Sequence, residues 1–528
     1  MSNAEQSTAA TTASMELRWF VGETLGILAV FAIIGSWPVP DVNESHYLLK
    51  ALHHWRPEFL RGDFFLESAE AHSTFYVLLG WLTCVMSLNA AAWCGRWITW
   101  LLLAVAWQRL SSAVIDRRGV SIFTAALYVT LLERFHMAGE WVVGGFESKG
   151  FAYAFVFLGL AAIVRQRWNL GLAWLGAATA IHVLVGGWSL IAAGVCWLWH
   201  GSTRPDLKQI MPGLAIAALC GIFGVWPALA MDRGVEPSVI AEAHQIYVFQ
   251  RLPHHLTPFA FKLEFIERHA LLFFVWIALC AFTVSDSAQR IVRGFVAGAL
   301  TITFLGVAIS VVLRDQPQYA AGLLRFYWFR LGDAVLPLGV SLVGTAFLLG
   351  AAPRGVVPFA RYALAALVSL GVFTHLEPLA LKRLNPGQPR SDAPNKVLDA
   401  GDWRDVCLWM REHTPESAVV LAPRSTQTFK WWARRAEVGC WKDVPQNARD
   451  LVEWWQRMDA IHATHSGDPE DDWYDSLAEA GETHAVRMSE RYGASYILTA
   501  AEPPLALVCP YRNNSYAVYE VPRVSPAP

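Results

Sequence analysis

Charge is scarce in this chain. Of its 528 residues only 16% are Asp, Glu, Lys or Arg, while 54% are hydrophobic. Soluble domains run nearer a quarter charged, so the shortage excludes an ordinary soluble globule and leaves a membrane protein. Neither sign of charge is in excess, because 42 basic and 44 acidic residues give a formal net charge of −2. That balance offers nucleic acid no electrostatic footprint. Nucleotide-handling signatures are also missing. No GxGxxG, P-loop, GxSxG or HExxH motif occurs, and the glycines at 139, 144 and 145 follow no strand. Soluble nucleotide-sugar and ATP chemistry are thereby set aside. The eight cysteines make no CxxC pair and no metal spacing. A disulfide among Cys407, Cys440 and Cys509 stays open. No basic n-region precedes a cleavable apolar run, so 17–36 reads as a retained first helix, with 1–16 a disordered polar lead.

Long apolar runs are plentiful. Runs of spanning length lie near 17–36, 74–92, 97–115, 119–133, 150–164, 170–199, 209–230, 270–285, 294–313, 333–351 and 359–377. The 170–199 run suits one tilted helix or a tight pair broken at Gly186-Gly187. The expectation is about 11 to 13 transmembrane helices between residues 17 and 380. Several of the 25 tryptophans, Trp37, Trp93, Trp199 and Trp226 among them, sit at segment ends, as amphipathic rings at headgroup level do. Lys and Arg in the loops set the orientation. Asp116-Arg117-Arg118, Arg165 to Arg167, Arg204 to Lys208, Arg290 to Arg293 and Arg354 to Arg361 fall inside once 170–199 counts as two helices. The loop 136–149 and the tail then lie on the non-cytoplasmic side. An outside first loop, 37–73, requires an odd number of crossings between 73 and 115, where two runs are counted. A re-entrant 74–92 would reconcile them.

From about 381 the composition changes. A Pro-rich linker to 397 leads into 398–528, where amphipathic helices alternate with short apolar strands. The expectation is a small soluble α/β domain. Trp403, Val406, Trp409 and Met410 share one face of its first helix.

The charges that remain are gathered in a few places. The first loop holds Asp41, Glu44, His46, Asp63, Glu67, Glu70 and His72. Asp41 and Glu44 are three apart, hence on one helix face. Two readings stand: Asp41 merely caps a helix and Glu44 is a solvated face residue, or a carboxylate here acts as a base or binds a divalent ion. Asp63, in Arg61-Gly-Asp63, closes the same loop. A second group is Glu140, Glu147 and Lys149 among three glycines, costly charges beside a bilayer unless paired or used. Arg325 and Arg330, among aromatics in 314–332, suit phosphate or interfacial anchoring equally. His182 lies alone in an apolar run, a packing histidine or a functional one. Arg424, Lys430, Arg434, Arg435 and Lys442 read first as a solvated or headgroup-facing surface. The pairs His53-His54 and His254-His255 point in different directions on a helix and do not share a metal.

The layout of a first helix, a long acidic outer loop, many further helices and a soluble tail on that side resembles the GT-C superfamily of polytopic glycosyltransferases. The strings NESHYL, RGDFFLESAEAH and GGFESKGFAYAF resemble an uncharacterised bacterial membrane-protein family with this layout. The superfamily resemblance implies transfer of a sugar from a polyprenyl-phosphate donor, with membrane lipid as solvent and an acid of the first outer loop at work. That role falls to Asp41, with Glu44 second, although Val42 and Asn43 separate acids that are adjacent in many such enzymes. With such a reaction in view, the residues read above take roles of their own: Glu140 and Glu147 orient the acceptor or a metal, Lys149 with Arg325 or Arg330 holds the phosphate, and Asp63 and His182 are further substrate contacts. The cofactor is none or a divalent cation, Mg or Mn, held by Asp41 and Glu44. The location is a bacterial inner membrane. A transporter or flippase for a lipid or small anion, or an assembly scaffold, is the alternative.

Overall fold

The computed structural model describes residues 3–350, 358–466 and 472–522. The chain is a mostly helical, multi-pass membrane protein whose C-terminal region builds a small sheet. Two compact units emerge, each assembled from three stretches of chain. One comprises 1–36, 95–228 and 247–385, the other 37–94, 229–246 and 386–528. The first loop therefore groups with the soluble tail, where sequence order alone attaches it to the membrane region.

The membrane unit consists of apolar helices. Among the described residues seven are long and apolar enough to cross a bilayer, from Ser14–Gly35 to Ala360–Leu384. Four shorter helices, Val120–Phe135, Ser148–Val164, Trp168–Ile181 and Val183–Trp199, pack among them. Ser148–Val164 is apolar all round and almost wholly buried, as a central helix must be. Arg330–Leu349 is likewise interior, with 78% of its apolar window covered, while Ala360–Leu384 shows only 6% covered. Small residues let backbones touch where lipid supplies no hydrophobic drive. A Cβ at Gly298 would come within 2.6 Å of the Ala192 carbonyl.

Two sequence expectations change here. The 74–92 run is not one span. It breaks into Ser73–Leu79 and Leu82–Val85, each too short to cross, and the spanning helix is Leu88–Val114. The 170–199 run does divide, but at His182 and not at Gly186-Gly187. His182 takes an extended conformation (φ −147°, ψ 100°), and its Nδ1 accepts the Val185 N–H at 3.4 Å, capping the second helix.

The second unit is built around a five-stranded sheet of order β2-β1-β3-β5-β4. Its strands are β1 Val419–Leu421, β2 Ala436–Glu437, β3 Tyr496–Ala500, β4 Tyr511–Arg512 and β5 Tyr516–Glu520. β1 pairs in parallel with β2 and β3, and β5 pairs antiparallel with β3 and β4. Side chains alternate across the sheet with period two. Tyr516 and Val518 pack with Trp403, Val406 and Met410 of the helix Ala400–His413, whereas Ala517 and Tyr519 pack with Ile461 and Met488 of Ala448–His462 and Glu482–Tyr492. Trp409 is partly buried and stacks on Tyr511. From the first loop this unit takes the helix Glu44–Trp55 and the turn Phe64–Glu67.

Candidate functional site

Among the described residues three groups of buried charge stand out, one in the membrane unit and two in the second. In the membrane unit the charge lies around the loop 136–147. Asp333, fully buried in the first turn of Arg330–Leu349, accepts the N–H groups of Met137 (2.7 Å), Ala138 (2.8 Å) and Glu140 (3.4 Å). An acid at a helix N-terminus suits the helix dipole, and here it also pins the loop. The imidazole of His269 lies 3.5 Å from the same carboxylate. His255 Nδ1 meets the Ala138 carbonyl at 2.5 Å, and Gly139, at φ +80°, leaves room for that ring. Burial, and then His254, lower the His255 imidazole to about 3, so the ring is neutral and donates that bond.

Held this way, Glu140 points its two oxygens at two cations. Oε2 is 2.8 Å from Arg330 Nε and Oε1 is 3.6 Å from Lys149 Nζ. Burial pushes the Glu140 carboxyl up and the two cations pull it back, with a balance above its usual value. Lys149 stands over the Trp141 ring at 3.0 Å, and Trp141 donates to Glu147 at 2.7 Å. Arg330 lies over the Tyr327 ring at 3.9 Å, with His182 Nε2 3.3 Å from its Nη1. Two buried hydroxyls, Tyr128 and Tyr153, have no hydrogen-bond partner among the described residues. The structure thus gathers Glu140, Glu147, Lys149, His182 and Arg330. Arg325 is half-buried, with its guanidinium over the Phe326 ring at 4.8 Å. Asp333 was not singled out from the sequence, though a lone acid in an apolar span was the available signal.

In the second unit Asp41 and Glu44 have bonding roles. Arg390 grips Asp41 with both branches, Nε to Oδ1 at 2.8 Å and Nη2 to Oδ2 at 2.6 Å. Glu44 Oε2 accepts the Asp41 N–H at 2.7 Å. The helix begins at Glu44 with Asn43 as its cap, so Asp41 precedes the helix and does not cap it. Both residues are buried, which overturns a solvated Glu44. A Mg or Mn site needs several oxygens free to face one ion. Asp41 has both of its oxygens in the guanidinium fork, so the pair as arranged does not fit such an ion.

Asp63 joins a separate cluster. Its Oδ1 caps Phe64–Glu67 through the Leu66 N–H (2.9 Å), and Oδ2 accepts the Glu437 N–H (3.1 Å) and faces Lys430 Nζ at 3.4 Å. Lys430 also binds Glu437 (2.7 Å) and Asp443 (2.6 Å), and it is 1% exposed. It is therefore interior, not part of a solvated basic face. Arg435 is buried as well, donating to the carbonyls of Arg411 and Thr414. Burial alone would lower the Lys430 ammonium, but Asp443, Asp63 and Glu437 outweigh it and hold it well above the usual lysine value. Burial raises Glu437 to about 7 against the pull of Lys430. For Asp443, Lys430 and His46 (3.3 Å) overcome burial and hold the acid low. Glu437, Cys440 and Asp443 offer ligand atoms within 4.8 Å of one another. A thiol beside carboxylates does not suit Mg or Mn, and Lys430 already neutralises the two acids.

Residues 401–461, which contain most of this cluster, match the model of DUF6798, a domain of unknown function. Among curated proteins none matches the chain. Three solved structures are similar over most of its length. An oligosaccharyltransferase from Archaeoglobus fulgidus in complex with Zn and sulfate shares 14% identity at a TM-score of 0.45, over 91% of this chain and 67% of that one. AglB, the archaeal oligosaccharyltransferase from the same organism with an inhibitory peptide and a dolichol-phosphate, shares 13% at 0.45, over 92% and 69%. ArnT from Cupriavidus metallidurans bound to undecaprenyl phosphate shares 14% at 0.43, over 98% and 100%.

Proposed function

We propose that the protein is an integral-membrane, GT-C-like glycosyltransferase that moves a sugar from a polyprenyl-phosphate donor to an acceptor at the non-cytoplasmic face. The observation that carries the reading is the Glu140–Lys149–Arg330 cluster, with the unpartnered hydroxyls of Tyr128 and Tyr153 within electrostatic reach of Glu140. Two basic side chains share one carboxylate in an apolar bundle, and guanidinium and ammonium donors suit a phosphate. In the reaction the acceptor oxygen attacks the anomeric carbon, the bond from that carbon to the phosphate oxygen breaks, and polyprenyl phosphate leaves with the bond's electrons. Lys149 and Arg330 stabilise the charge developing there, in a setting with little water. The acceptor's proton passes to a carboxylate, assigned to Asp41 with Glu44 second. That assignment requires Asp41 to exchange Arg390 first.

Chain tracing supports the side. If the seven long helices and the four shorter ones all cross, the loops 136–147 and 313–329 fall on one face, and the turns with Arg117, Arg118, Arg165, Arg167 and Arg204 fall on the other. A single helix of spanning length between 73 and 115, Leu88–Val114, is what an outside first loop requires.

The test is sugar transfer in proteoliposomes from a labelled polyprenyl-phosphate donor. Lys149→Ala and Arg330→Ala each lower transfer by roughly 10²–10³-fold, the loss seen when one such donor is removed. Asp41→Asn abolishes it with the protein still folded and inserted. Wild-type rates in all three would end the assignment. One observation favours a scaffold instead: Asp41 and Glu44 are both engaged in bonds that organise the first loop. On that reading Asp41→Asn lowers stability and no transfer is found in the wild type.

A further inference from the structure

The helices Trp168–Ile181, Val183–Trp199 and Leu207–Ala230 line an open groove of about 600 Å³, the size of a small-molecule site. Its walls are apolar, with Leu172, Leu190, Ala193, Ala217 and Ile222 along them. Because the three helices alternate in direction, Trp168, Trp197 and Leu207 meet at one end, and Thr179, Gly221 and Val225 at the other. At 1.5 Å per residue the groove runs roughly 16 Å. The helix Leu207–Ala230 has only 22% of its apolar window covered, so the groove lies at the rim of the bundle.

The space is real at the level of single residues. A Cβ placed on Gly194, which lines the groove, meets nothing within 4 Å. Gly194 is exposed, so the groove opens towards the bilayer and its apolar lining lacks dispersion contacts on that side. In a bilayer a hydrocarbon chain restores them. The end marked by Trp168, Trp197 and Leu207 is also basic. Arg204 stacks over the Trp197 ring at 4.1 Å, Lys208 follows Leu207, and Arg167 precedes Trp168; all three cations are exposed. Asp206 is the one carboxylate within 165–169 and 200–209. The buried Trp168 Nε1 at this end has no hydrogen-bond partner among the described residues.

We infer that this groove holds an acyl chain of an anionic membrane lipid, with the lipid phosphate among Arg167, Arg204 and Lys208. Basic residues between spans at the cytoplasmic surface recognise anionic headgroups in this way. The site is independent of the sugar-transfer reading and stands or falls without it.

The experiment is native mass spectrometry of the full chain in mild detergent, delipidated and then offered phosphatidylglycerol or phosphatidylcholine. The wild type retains one phosphatidylglycerol through collisional activation, in preference to phosphatidylcholine by roughly tenfold. Gly194→Phe fills the groove and loses the adduct. Gly187→Phe, on the same helix and also facing open space but not lining the groove, keeps it. The double change Arg204→Gln and Lys208→Gln brings the two lipids to parity, and it carries the test should Gly194→Phe fail to fold. Equal retention of both lipids by the wild type overturns the inference, as does undiminished retention by a folded Gly194→Phe.

Discussion

The buried clusters around Lys430 and Lys149 differ in how completely they are closed. An ammonium has three N–H groups. Lys430 directs them at three carboxylates, those of Asp443, Glu437 and Asp63. Asp63 and Asp443 have further partners in backbone N–H groups or His46. The unit-one cluster is less filled. Arg330, with five N–H donors, is described against Glu140 and His182, and Lys149 against Glu140 at 3.6 Å and an aromatic face. Closed clusters hold a fold together, while cations with donors to spare are suited to an incoming anion. Burial by itself distinguishes nothing here, since Lys430 and Lys149 are 1% and 5% exposed.

Breaking the closed cluster has the largest expected effect. Lys430→Met strips the counter-charge from three buried acids, and removing one partner of a buried pair costs about 3–5 kcal/mol. Thermal unfolding of the second unit, followed by tryptophan fluorescence, drops accordingly; an unchanged midpoint would show the cluster to be loosely held. Removing Lys149 leaves the corresponding midpoint much closer to wild type and acts on transfer.

Glu437 sharpens the contrast through pH. Its folded-state value, raised to about 7, lies above the ordinary 4.5, so the folded chain holds this proton more tightly than the unfolded one. Stability from this group is therefore present at pH 4.5 and below and is lost as pH rises towards 7. The Glu437 Oε2 that lacks a hydrogen bond is the natural place for that proton. His46, lowered by burial, contributes the opposite slope below 6.5, so the comparison must be with a variant. Glu437→Gln gains on wild type between pH 5 and pH 8, by ~1–3 kcal/mol. A constant difference across that range would remove the assignment. The smallest effect is at the helix break: His182→Ala loses a cap worth about 0.5–2 kcal/mol, read as a lower unfolding temperature of the membrane unit.

Much of the open cluster was legible from the sequence. Glu140, Glu147 and Lys149 stand out because charge between two apolar runs is expensive, and Arg330 because it lies among aromatics beside a span. The second unit was less legible. Helical periodicity found Trp403, Val406 and Met410, and apolar patterning found that short strands alternate with helices here, since both depend on neighbours in sequence. Contacts between distant parts of the chain do not: Glu437 bonds Asp63 across 374 residues, and Arg390 reaches Asp41 across 349. A basic run in a mixed-charge region reads as surface until its acids are found. The flanking Trp431 and Trp432 were the local sign that this lysine turns inward.

The interleaving of the second unit has a consequence in time. Asp63 and His46 are made early, and the residues that neutralise or bond them come only after position 386. At roughly 5–20 residues per second of synthesis, they wait tens of seconds with their acids and imidazoles unmatched. The first loop can reach its final form only once the tail arrives. A nascent chain stopped before 386 would carry an unfinished loop, exposed to proteases and to quality control, whatever the state of its helices.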